Sequence, residues 1–96
     1  MHLLTLTLAE RQELDWLSSR FHLGLAILNI ITANSTENPL TLGIVWNTPK
    51  TLSFEFNNRD MGHLSNYLNL DRHTMETYAP NLMANLNRVV WDYHTQ

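Results

Sequence analysis

Between residues 40 and 57 large apolar side chains recur at every second position in two runs. Leu40, Leu42, Ile44 and Trp46 are interleaved with Thr41, Gly43, Val45 and Asn47, and Leu52, Phe54 and Phe56 with Ser53, Glu55 and Asn57. Successive side chains of a strand point to opposite faces, so each run reads as a strand with one apolar face, and Asn47-Thr48-Pro49-Lys50-Thr51 reads as the loop of a hairpin. Burying both apolar sets together places Trp46 opposite Leu52, Ile44 opposite Phe54 and Leu42 opposite Phe56. A slip of one residue would turn large apolar groups, worth roughly 1.5–3 kcal/mol each when buried, towards water. Residues 25–33 contain the β-branched Ile27, Ile30, Ile31 and Thr32, which favour strands, and they complete a three-stranded antiparallel meander.

Helices are expected on either side of this sheet. Thr7-Leu8-Ala9-Glu10 has the form of a capping box, in which Thr7 accepts from the backbone three residues on and Glu10 reaches back. A helix therefore starts at Leu8, with Leu14, Leu17 and Phe21 on its buried face and Arg11 and Asp15 spaced as an i,i+4 ion pair. Gly24 is placed to end it near His22 or Leu23. A rival reading keeps helical phase onward through Leu25, Leu28 and Ile31, and the β-branched content argues against it. Ser35 to Pro39 is a turn cluster. After the sheet, Asn57 or Asn58 can cap a helix with Asp60 in its first turn and Met61, Leu64 and Leu68 buried. Asp71 caps a short helix at 72–78, and Pro80 suits the first turn of a terminal helix running to Tyr93, with Leu82, Leu86, Val89, Val90 and Tyr93 on its stripe. The expected fold is α+β: an N-terminal helix, the meander, then two or three C-terminal helices packed on the sheet. Leu4 and Leu6 alternate with Thr5 and Thr7, so residues 2–6 can add a short strand that covers a sheet edge.

Ninety-six residues with 44% hydrophobic content fit one domain, residues 1–96. The start, Met1-His2-Leu3-Leu4, lacks the basic residues of an export signal, and the apolar run Leu23–Ile31 is nine residues where a bilayer span needs about 20. A cytoplasmic protein with no membrane segment is expected. Six Lys plus Arg stand against nine Asp plus Glu for a net charge of −3, and Lys50 is the one lysine, so clustered phosphate-neutralising charge is missing and nucleic acid is disfavoured as a partner. With no cysteine, disulfides and thiolate chemistry are excluded.

Catalytic signals are weak. The five histidines form no HxxxH or HxH pair, and Asp71-Arg72-His73 with Glu76 is better explained by capping than by zinc, which needs three or four convergent ligands. His2 and His94, near the termini, are expected to be exposed. None of the serines lies in a nucleophile elbow, and three glycines are too few for phosphate-cradling loops, so no cofactor is called for. A minimal hydrolase or nuclease remains as an alternative, with Glu55, Arg59, His63 and His73 as base, phosphate anchor and acid.

The tryptophans carry more information. At 100° per residue, Trp16 points away from the Leu14/Leu17/Phe21 stripe, and Trp91 projects from the terminal helix beside Asn87 and Arg88, away from its apolar side. Tryptophan and arginine are favoured interface anchors. The expected function is a non-enzymatic protein-binding module using Trp16, Asn87, Arg88 and Trp91. In size, mild acidity and absence of cysteine the chain is of the kind found among small phage and mobile-element inhibitors or accessory subunits acting on host or defence proteins, an analogy of composition alone. Self-association through a sheet edge or an exposed tryptophan is a further expectation, since Glu55 is the one charge within either hairpin strand.

Overall fold

A computed structural model describes residues 2–95, and its element order is β1 (His2–Leu6), α1 (Leu8–Ser18), α2 (His22–Ala33), α3 (Pro39–Val45), β2 (Leu52–Phe56), α4 (Asn58–Leu70), α5 (Arg72–Tyr78) and α6 (Pro80–His94). The class is α+β, mostly helical, with six helices and one two-stranded antiparallel sheet among the described residues, so the expected three-stranded meander is not formed. β2 pairs with the N-terminal strand: Leu6 faces Leu52, Leu4 faces Phe54 and His2 faces Phe56. Along both strands the even-numbered residues are buried, which is the alternation the sequence shows for Leu52, Phe54 and Phe56.

The expected hairpin fails because residues 39–45 are helical. Asn38 accepts from the Thr41 N–H at 2.8 Å and Pro39 occupies the first turn, so the turn cluster is also a helix start. On a helix, residues two apart stand 200° apart, and a period-two run of four splits into two i,i+4 pairs on nearly opposite sides. Leu42 and Trp46 face the body of the protein, whereas Leu40 and Ile44 are 78% and 71% exposed. The pairings of Ile44 with Phe54 and of Trp46 with Leu52 are therefore replaced by those of Leu4 and Leu6.

Residues 25–33 are helical, as the rival reading has it, but they belong to a separate helix, α2, because α1 ends at Ser18 and α2 begins at His22. Ile27 and Ile31 sit one turn apart and are fully buried. The helix-propensity deficit of a β-branched residue is a few tenths of a kcal/mol, against roughly 1.5–3 kcal/mol gained on burying each isoleucine, so packing decides. Gly24 does not end α1. It lies inside α2 at the crossing, where an added Cβ would stand 2.5 Å from the Leu17 carbonyl carbon and oxygen. The remaining helix starts follow the sequence reading: the Thr7/Glu10 capping box, Asn57 accepting from Asp60 N–H, and Asp71 accepting from Thr74 N–H are all formed.

Arg11 is fully buried, and it does not pair with Asp15. Its Nη1 donates to the Leu6 carbonyl at 2.6 Å, Nε to that of Trp46 at 2.8 Å, and Nη2 to those of Thr48 and Lys50 at 2.7 and 2.8 Å. Burial lowers its pKa, and the charges of Asp15 and Glu10 oppose that shift. Asp15 instead accepts from the Trp46 indole N–H, 2.9 Å from each carboxylate oxygen. His2, expected to be exposed, is buried: its Nε2 pairs with Asn58 Oδ1 at 2.8 Å and its ring meets Tyr93 edge-on at 5.3 Å.

The outer edge of β2 is covered by residues 34–36, and one carbonyl of the outer edge of β1 is capped by a side chain. Asn34 O accepts from Glu55 N–H at 2.9 Å and Ser53 O from Thr36 N–H at 3.3 Å, while Thr5 O accepts from the Asn85 amide at 2.7 Å. One contiguous apolar core joins both strands to all six helices, and no helix of the described residues is long and apolar enough to cross a membrane.

Three substitutions test this fold, and the first separates it from the hairpin. Ile44→Gln is expected to change the free energy of unfolding by less than about 0.5 kcal/mol, because the residue is exposed, where the hairpin register requires a loss of roughly 1.5–3 kcal/mol. Gly24→Ala is expected to cost about 1–3 kcal/mol through overpacking against α1. Arg11→Met, which leaves four inward-turned carbonyls without their donor, is expected to cost roughly 2–4 kcal/mol. Urea unfolding midpoints at constant m-value check all three.

Candidate functional site

The terminal helix α6 is held by polar contacts from α1 before any apolar packing is considered. Its N-cap residue, Ala79, has no side chain to offer the first turn. Glu13 supplies the missing acceptor from α1, taking the Leu82 N–H at 2.9 Å and the Asn81 amide at 2.7 Å. One turn further on, Asn85 donates to Glu10 Oε2 at 2.7 Å as well as to Thr5 O, joining α6 to the α1 capping box and to β1. With Leu82, Met83, Leu86 and Val89 buried, the opposite side of α6 is left to solvent and to the ends of α4 and α5.

That side carries the candidate site. Asn87, Trp91 and His94 follow one another at helical spacing, Ser65 and Asn69 do the same on α4, and Arg72 opens α5. Together with Val90 they line a cavity of about 320 Å³. The Arg72 guanidinium lies between the two long helices: Nη1 donates to Asn69 Oδ1 at 2.9 Å and Nη2 to Asn87 Oδ1 at 3.0 Å. Ser65, nearly buried, shares a hydrogen bond of 3.0 Å with His94 Nε2. Trp91 is 69% exposed at the rim. Arg88 flanks it, donating to Asn85 Oδ1 at 2.8 Å and lying 4.0 Å from Asp92. Asp71, beside Arg72, is occupied by the Thr74 hydroxyl and N–H, and those hydrogen bonds lower its pKa.

Of the four residues expected to bind protein, the structure brings Asn87, Arg88 and Trp91 together and leaves Trp16 apart. Trp16 stacks on Tyr78 with ring centroids 5.0 Å apart, and the Arg20 guanidinium stands 4.2 Å from its ring centroid. Tyr78 immediately precedes α6 and Trp91 lies eleven residues into it, so about 16 Å of helix separates the two tryptophans at 1.5 Å per residue. Trp16 is thus engaged in joining the end of α1 to the end of α5. Ser65, Asn69, Arg72 and His94 are site residues that the sequence reading missed. Their signal is the i,i+4 spacing of Ser65 and Asn69 beside the Leu64/Leu68 stripe, while Arg72 stands in the sequence next to a helix cap.

The alternative constellation is not assembled. Glu55, Arg59, His63 and His73 are all exposed. Arg59 and His63 share a face of α4, but Glu55 precedes the start of that helix and His73 follows its end, with about 20 Å of helix between at 1.5 Å per residue. No group of three or more metal-ligating side chains occurs among the described residues. The arginines are likewise dispersed, Arg11 in the core, Arg20 on Trp16, Arg59 at the start of α4, and Arg72 and Arg88 beside Trp91, so they form no single basic surface.

Other concavities are present. A groove of about 450 Å³ lies between α2 and α3, walled by Asn29, Thr32, Pro39, Leu42, Gly43 and Trp46, and a second of similar size adjoins Trp16 and Tyr78. No protein-family model matches the chain, and the searches of curated proteins and of solved structures returned no significantly similar one.

The position of Arg72 depends on the start of α5. Asp71 has a lowered pKa in the folded chain, so its contribution to stability is present above its ordinary value of 3.8 and is lost as pH falls through the lower folded value. In Asp71→Asn the acid limb of the stability profile is expected to be shallower than in the parent, as read from urea midpoints taken at a series of pH values below neutrality.

Proposed function

We propose that the chain is a non-enzymatic protein-binding module whose docking surface is the α6 face bearing Asn87, Arg88 and Trp91. The observation that supports this reading is Trp91 itself. It is a large rigid side chain, 69% exposed, at the rim of a cavity lined otherwise by Ser65, Asn69, Arg72, Asn87, Val90 and His94. Binding of a partner would remove its indole from water at small entropic cost, because the backbone beneath it is helical and the helix is packed on the core through Leu82, Leu86 and Val89. An inhibitor or accessory subunit of phage or mobile-element origin, working in the cytoplasm on a host or defence protein, is the kind of role this design suits.

Self-association through a sheet edge has less support, since the backbone groups noted above already have partners. A hydrolase or nuclease built on Glu55, Arg59, His63 and His73 has less support for the reason of distance given above.

Affinity capture by the intact chain, repeated with Trp91→Ala and Trp16→Ala, tests the proposal. The expected outcome is a partner lost with Trp91→Ala, by about tenfold or more in affinity, and retained with Trp16→Ala. Equal capture by Trp91→Ala and the parent chain would reject Trp91 as the anchor.

A further inference from the structure

We infer that the cavity beside Trp91 recognises a partner segment in which an acidic side chain stands next to an apolar or aromatic one, with the carboxylate on Arg72 and the apolar group on the Trp91 ring. The inference rests on the reading of this face as a protein-docking surface and adds the chemistry of what docks there.

The chain has a net charge of −3, yet among the described residues the cavity lining contains an arginine and a histidine and no carboxylate. The charged groups nearest in sequence are accounted for: Asp71 accepts from Thr74, Asp92 lies towards Arg88, and Glu76, one turn beyond Arg72 on α5, makes no ion pair with it. Arg11 and Arg20 also lack an ion pair among the described residues, but the other basic groups that are held in place are engaged in different ways. Arg11 is saturated by four carbonyls, Lys50 pairs with Glu37 at 2.9 Å, and Arg20 covers Trp16. Arg72 is held by two neutral amide oxygens, one from each flanking helix, so its position is set while its charge is not neutralised by any described carboxylate.

A guanidinium has five N–H groups in a planar fork, of which two are used here, and the fork matches the two oxygens of a carboxylate. Asn69 and Asn87 each give their oxygen to Arg72, which leaves their Nδ2 groups as donors without a partner among the described residues. The cavity is therefore rich in donors and suits an acceptor. A volume of about 320 Å³ is at the small end for a ligand site and corresponds to one or two side chains, with the neighbouring apolar group left to rest on Trp91. Phosphate would also satisfy these donors, but a nucleic acid would have to approach a chain of net negative charge whose arginines are dispersed, and protein is favoured on that ground.

The test is selection of short random peptides, displayed on phage, against the intact chain, followed by calorimetric titration of the enriched peptides. Parent, Arg72→Gln, Arg72→Lys and Trp91→Ala chains are compared, each first shown by circular dichroism to be folded. The expected peptides place Asp or Glu beside an aromatic or aliphatic residue. Their affinity falls about tenfold or more in Arg72→Gln and in Trp91→Ala, and Arg72→Lys restores only part of it because the paired geometry is lost. Replacing the peptide's acid by its amide costs as much with the parent chain and little with Arg72→Gln. Peptides that need Trp91 but neither an acid nor Arg72 overturn this inference and leave the docking surface standing. Peptides indifferent to Trp91 overturn both. Binding of a single-stranded oligonucleotide that is lost in Arg72→Gln and steeply weakened by salt overturns the choice of protein.

Discussion

A guanidinium with no described carboxylate partner, fully enclosed, ties together three parts of the chain that are distant in sequence. Arg11 reaches from the first helix to the last residue of β1 and to three carbonyls of the segment joining α3 to β2. Each of these hydrogen bonds is charge-assisted, and the four together offset the desolvation of a charge that would otherwise be prohibitive inside a small core. The consequence is topological. The end of β1 and the approach to β2 are fastened to the same side chain, so the two strands are brought level at Leu6 and Leu52 although 45 residues lie between them. Trp46 strengthens the junction by donating its indole N–H to Asp15 on the same helix.

This junction explains why the second half of the sequence was more readable than the first. From Asn57 onward each helix begins at a recognisable cap or proline and presents one apolar stripe, so local chemistry and tertiary packing agree, and the boundaries at Asn58, Arg72 and Pro80 follow. Between Gly24 and Trp46 they disagree. Ile27 and Ile31 have strand-like propensity and helical spacing, and burial in a shared core outweighs propensity several-fold. Leu40 to Trp46 has strand-like spacing but begins with Asn38-Pro39, and β2 has no vacancy for it because β1 occupies one side and residues 34–36 the other. A period-two pattern states which faces a strand would have; it does not state that a partner strand is available. The cost of this compromise is visible in Leu40 and Ile44, which a hairpin would have buried and a seven-residue helix leaves to solvent.

The candidate site was legible to a similar degree and for the same reason. The outward direction of Trp91, with Asn87 and Arg88 beside it, follows from the phase of a single strongly patterned helix. Trp16 obeys the same geometry on α1, but its fate is decided by Tyr78 and Arg20, which come from an element 60 residues away and from the loop after the helix. Arg72, Asn69 and Ser65 were out of reach because their grouping needs the mutual placement of α4, α5 and α6, and that placement is tertiary.

Net charge is a poor guide to the character of any one face of so small a protein. Several of the nine acidic groups are engaged in building the fold: Glu10 closes the first capping box and holds Asn85, Glu13 starts α6, Asp15 holds Trp46 and Asp71 starts α5. Carboxylates used at helix starts complement the positive end of the helix dipole and are taken away from the surface potential that a partner would sense. The two arginines of the α6 region have no such structural carbonyl cage, and one of them, Arg72, lacks a described carboxylate as well. An acidic protein thus acquires a locally basic, donor-rich hollow next to its most exposed tryptophan. The same helix that supplies Trp91 is fixed at its start by Glu13 and one turn later by Glu10, and the hollow lies where its far half meets α4 and the first residue of α5.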